Sequence, residues 1–68
     1  MFLYQNIKIL RQVRNLNQSE LATLLSVTRD TVASLESQRM KPSFDLLIKL
    51  RNFFDINLED LVFKNLAE

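Results

Sequence analysis

The chain has 68 residues, of which 47% are hydrophobic and 25% charged, with a net charge of +1. This is enough for one small domain, and the composition is too ordinary for a disordered segment. It contains no Cys, no His and no Gly, which excludes disulfide staples, thiolate or imidazole catalysis, nearly every zinc or copper site and a Gly-rich phosphate loop, so no enzyme, metal or cofactor is expected.

Ile7, Leu10 and Val13 or Arg14 recur at helical spacing, predicting a first helix that runs to about Arg14 and stops near Asn15. Asn17-Gln18-Ser19-Glu20 has the form of a capping box, opening a short second helix that carries Leu21, Ala22, Leu24 and Leu25 and ends near Ser26. Thr28 caps a third helix, with Asp30 in its first turn and Val32 and Leu35 on its inner face. Pro42 disfavours helix at Lys41, and Ser43 caps a fourth helix from about Phe44 to Phe54. Asn57 caps a fifth, from Leu58 to about Leu66, with Glu59 and Asp60 in its first turn. Strict two-residue alternation never persists, so the expected fold is all-helical.

The modest net charge is unevenly spread. Residues 1–44 hold six bases against three acids, a net +3, and residues 45–68 hold three bases against five acids, a net −2. The first part suits a polyanionic partner; chance scatter in a small sample is the plainer alternative. The opening MFLYQNIKIL lacks a basic n-region and a small-residue cleavage site, and no apolar stretch approaches the roughly 20 residues of a membrane span. With Cys absent, a cytoplasmic location without membrane attachment is expected.

Leu25-Ser26-Val27-Thr28 leaves only a few residues between the second and third helices, which must therefore turn sharply, as in a helix-turn-helix. A close crossing needs a small residue at the inner contact, and Ala22 supplies it. Leu21, Leu25, Val27, Val32 and Leu35 would seal the crossing, a fully buried Leu contributing about 1.5–3 kcal/mol.

In order along the chain, Gln18-Ser19-Glu20-Leu21-Ala22, Val27-Thr28-Arg29, Val32, Leu35-Glu36 and Pro42-Ser43 resemble the Cro/repressor-type, Xre-like helix-turn-helix family, over about residues 6–62. The resemblance implies a single compact five-helix, lambda-repressor-like DNA-binding domain. Its helix-turn-helix unit would span about residues 18–37, and residues 44–66 would serve packing and dimerisation. It also implies that the third helix enters the major groove of double-stranded DNA. With Val32 and Leu35 turned inward, the base-reading candidates are Arg29, Asp30, Ala33 and Ser34, with Thr28 and Thr31 at the edge. Arg29 suits the O6 and N7 atoms of guanine, and Ala33 a thymine methyl. Asp30 can accept from cytosine N4, or orient Arg29, or cap the helix.

Phosphate contacts are implied for Asn17 and Gln18 at the start of the second helix, and for Ser37, Gln38, Arg39 and Lys41 in the loop after the third. The resemblance further implies a structural salt bridge between Arg11 and Glu36. The chain departs from the family pattern at Ser26 and Asp55, where Gly is usual, and at Arg51 and Phe53, where smaller residues are usual. A left-handed backbone at Ser26 costs a non-glycine residue about 1–2 kcal/mol, so that turn is either strained or reshaped.

In the fourth helix, Leu47, Leu50 and Phe54 fit one inward stripe, and Leu46 and Phe53 fall on an adjacent one. Together with Phe63 and Leu66 they are expected to form the interface of a two-fold homodimer; a slightly thicker core is the alternative. The leading expectation is thus a sequence-specific, repressor-like transcription regulator that binds an inverted repeat as a homodimer, with no small-molecule ligand. The alternative is an antitoxin or adaptor that uses the same fold to bind a protein partner, with DNA binding secondary.

Overall fold

A computed structural model describes residues 1–68. Five α-helices follow one another: α1 Leu3–Val13, α2 Gln18–Leu25, α3 Arg29–Glu36, α4 Phe44–Phe54 and α5 Leu58–Phe63. None is long and apolar enough to cross a membrane.

Local chemistry sets the helix starts. The Asn17 side chain accepts from the Glu20 amide at 2.7 Å while Glu20 accepts from the Asn17 amide at 2.9 Å, a reciprocal box that satisfies two orphan donors. Thr28, Ser43 and Asn57 cap α3, α4 and α5 with the one-way bond alone, accepting from the amides of Thr31, Leu46 and Asp60. α1 has no side-chain cap. Its start is held instead by the Phe2 amide, which donates to the Val62 carbonyl at 2.7 Å and ties the amino end to α5.

The ends of α1, α2, α3 and α4 share one device. Asn15, Ser26, Gln38 and Asp55 all have positive φ, between 51° and 63°. In each case the following amide reaches back five residues: Leu16 to Arg11, Val27 to Ala22, Arg39 to Ser34 and Ile56 to Arg51, at 2.8–3.2 Å. These are Schellman-type stops built without a single glycine. Ser26, at φ 58° and ψ 40°, sits in the left-handed well, so the α2–α3 turn keeps its shape and carries the strain.

The core gathers one stripe from each helix: Leu3 and Ile7, Leu21, Ala22 and Leu25, Val32 and Leu35, Leu46, Leu50 and Phe54, and Leu61. α4 therefore presents Leu46, Leu50 and Phe54 at four-residue spacing, not Leu47, Leu50 and Phe54. Leu46 is only 7% exposed and belongs to the core of the single chain, which removes it from the expected dimer interface. The roll of α4 between α2 and α5 is the cause, because it turns the Leu46 side toward its neighbours and leaves Leu47 half-buried.

Phe53 is also partly covered. The Arg14 guanidinium lies 5.2 Å from its ring centroid and 5.4 Å from that of Phe54, and donates to the Phe54 carbonyl at 3.3 Å.

α5 stops at Phe63, short of the expected Leu66. The reason is Asn6, which is fully buried in α1. Its amide nitrogen donates to the carbonyls of Leu61 at 2.8 Å and Lys64 at 2.7 Å, and its Oδ1 accepts from the Leu66 amide at 3.2 Å. Gln5 adds a bond to the Asn65 side chain at 2.7 Å. These partners outcompete continued helix and draw the last residues across α1.

Candidate nucleic-acid interface

α2 and α3 pack directly on each other through Ala22, Leu21, Leu25, Val32 and Leu35, all buried, with Val27 half-buried in the turn. Burial of Val32 and Leu35 fixes the roll of α3. The opposite face then opens to solvent. Thr28, Arg29 and Asp30 are exposed, and Thr31, Ala33 and Ser34 are partly so. All six base-reading candidates lie on α3 or its cap.

The local contacts differ among them. The Thr28 and Thr31 hydroxyls lie 3.0 Å apart and share a hydrogen bond. Arg29 and Asp30 do not pair, since the chain's one ion pair is elsewhere. Of the roles open to Asp30, orienting Arg29 is thus not realised in the free chain, whereas its first-turn position does suit the helix dipole.

The loop after α3 carries the second group. Ser37, Gln38, Arg39 and Lys41 are exposed. Ser37 Oγ donates to the Ser34 carbonyl at 3.3 Å and accepts from Arg39 Nε at 2.9 Å, so Arg39 is folded back along the loop. Gln38 occupies the left-handed position that turns the chain.

Beneath this surface, Arg11 and Glu36 form a two-pronged pair. Nε donates to Oε2 at 2.7 Å and Nη2 to Oε1 at 2.9 Å, with side chains 11% and 5% exposed. Arg11 Nη1 also donates to the Leu16 carbonyl at 2.7 Å, so one guanidinium ties α1, the α1–α2 link and the end of α3. The hydrogen bond to Glu36 pushes the Arg11 pKa above its ordinary value, with burial opposing and the Glu36 charge assisting. Gln18 Nε2 donates to Glu36 Oε1 at 3.3 Å, so Gln18 is linked to the same carboxylate. Asn17, exposed beside it, has its Oδ1 committed to the α2 cap.

Gln18, Arg11, Ala33, Glu36 and Ser37 line one polar groove together with Lys8 of α1. Lys8 is a residue that reading by motif passes over. The available signal is its position three residues before Arg11, on the same side of one helix.

The expected interface residues at the other end of the molecule divide. Leu46 is core, Phe53 is half-buried, Leu66 is half-buried and Phe63 is 65% exposed. Phe63 lines a shallow, mainly apolar groove with Leu58, Glu59 and Val62 on α5. Met1 and Phe2 add exposed apolar surface.

A family model described as helix-turn-helix matches residues 7–61. An uncharacterized HTH-type transcriptional regulator of Methanocaldococcus jannaschii is 36% identical over 55 residues, covering 81% of this chain and 83% of the relative. An uncharacterized HTH-type transcriptional regulator of Archaeoglobus fulgidus is likewise 36% identical over 55 residues, covering 81% of this chain and 78% of that protein. The family match runs from Ile7, midway along α1, to Leu61, the buried residue of α5, so it takes in parts of all five helices and not only the α2–α3 pair. The chain thus belongs to the Cro/C1-type, Xre-like helix-turn-helix family, a family of DNA-binding transcription regulators.

Proposed function

We propose that this DNA-binding regulator reads double-stranded DNA sequence-specifically with α3 in the major groove, as a cytoplasmic, repressor-like homodimer on an inverted repeat, without cofactor or catalysis. One observation carries the reading. Val32 and Leu35 are fully buried while Thr28, Arg29 and Asp30, three consecutive residues at the start of the same helix, face open solvent. A helix held by its back and open along its polar front is what groove entry requires.

In this reading Arg29 donates to guanine, Asp30 accepts from cytosine N4, and Ala33 meets a thymine methyl. Thr28, Thr31 and Ser34 supply adaptable hydroxyls. Asn17 and Gln18 hold one phosphate at the start of α2, and Ser37, Gln38, Arg39 and Lys41 hold another. Arg39 is poised by its bond to Ser37 and must swing outward to reach a phosphate.

The homodimer would form through α5 and the chain ends. Its support is the apolar groove of Leu58, Val62 and Phe63 on α5, to which the Phe2 amide is tied through the Val62 carbonyl; half-buried Phe53 and Leu66 would add apolar surface to the interface. Two copies of α3 would then meet successive major grooves about 34 Å apart. Selection of bound duplexes from a random pool tests the whole reading. A palindromic consensus is expected; recovery of no sequence preference rejects it.

A further inference from the structure

We propose that Lys8 of α1 binds a phosphate of the DNA backbone, extending the contact surface beyond the helix-turn-helix pair and its following loop. The inference rests on the DNA-binding reading above and adds to it a residue from the first helix.

A polar groove runs between α1, α2 and α3. Its lining combines Lys8 with Gln18, Ala33 and Ser37, three residues already assigned to the DNA face. Lys8 therefore opens onto the same surface, although it comes from a different helix. Its floor holds Arg11 and Glu36, whose charges are matched in a close two-pronged pair. With that pair neutral, Lys8 is the only uncompensated charge on the groove wall. A phosphate approaching Gln18 meets a cation, and the Glu36 carboxylate that would repel it is masked.

Lys8 is also free to act. It is exposed and makes no ion pair or side-chain hydrogen bond within the chain. Arg11 and Arg14, the other cations of α1 and its end, are engaged with Glu36 and with Phe53 and Phe54. Nor does the fold need Lys8, because Leu3, Asn6, Ile7 and Arg11 make the inward contacts of α1. A flexible ammonium on a long stem suits a phosphate, where a point charge suffices and no base edge is read.

The test measures binding of the full chain to a mixed-sequence duplex by fluorescence anisotropy across a salt series. Wild type, Lys8→Ala and Lys8→Arg are compared, with helix content checked by circular dichroism. One phosphate contact contributes about 0.9 to the slope of log affinity against log salt, or about 3.5-fold in affinity over a fourfold rise in salt. Lys8→Ala is expected to flatten the slope by about that amount, and Lys8→Arg to restore it. A Lys8→Ala slope equal to wild type overturns the inference and leaves the DNA reading standing. Absence of salt-dependent binding by wild type overturns both.

Discussion

Arg11 of α1 holds both carboxylate oxygens of Glu36 at the end of α3, across 25 positions of sequence, and shares that carboxylate with Gln18 of α2. The pair is thus a joint between three helices. Removing one partner leaves the other charge buried and unmatched, at a cost of about 3–5 kcal/mol. Glu36→Ala and Arg11→Ala are each expected to lower the urea midpoint by that equivalent, a large share of a small domain's stability. Replacing both with apolar residues of similar volume should recover much of the loss. If either single variant unfolds at the wild-type midpoint, the pair does not brace the fold.

Arg29→Ala is expected to relax preference at one or two base pairs in each half-site, at about 1–3 kcal/mol of discrimination. Repeating the duplex selection with the variant checks this. An unchanged consensus would mean that Arg29 reads no base.

Lys41→Ala should act differently. It lies in the loop, away from the front of α3, and is exposed without a partner. Affinity should fall equally for every sequence, and the salt slope should flatten by about one unit. A changed base preference would remove it from the phosphate group.

Ser26→Gly tests the strained turn. Glycine removes the left-handed penalty of about 1–2 kcal/mol and adds about 0.5–1 kcal/mol of unfolded-state entropy. A net gain of about 0.5–1 kcal/mol is expected, visible as a rise of several degrees in melting temperature. A loss on substitution would mean that the serine side chain compensates its own backbone.

The element boundaries that were legible in the sequence are those set by neighbouring residues. Ser43 and Asp55 bracket α4 at Phe44 and Phe54 because a cap and a left-handed stop are local events. The box at Asn17 and the caps at Thr28 and Asn57 follow for the same reason. α5 ends early because the competitor for its last turn is Asn6, at the other end of the chain. Leu46 and Leu47 both fit an apolar helix stripe, and only the packing of α2 and α5 chooses between them. At the candidate site, the solvent face of α3 was legible from the inward pair Val32 and Leu35. Lys8 was not, because a lone lysine becomes part of a surface only when another helix lies beside it.

The placement of Arg14 over two aromatic rings changes how the positive surplus of the first 44 residues is counted. Two of its six cations are spent on architecture, one against Glu36 and one on Phe53 and Phe54. Of the other four, Arg29 is proposed for a base, which leaves Lys8, Arg39 and Lys41 for phosphates. Three such contacts would contribute about 2.7 to the magnitude of the salt slope per subunit, and a dimer would double that contribution. In the proposed reading, discrimination between sequences would come from shape and base edges, which phosphate contacts do not supply.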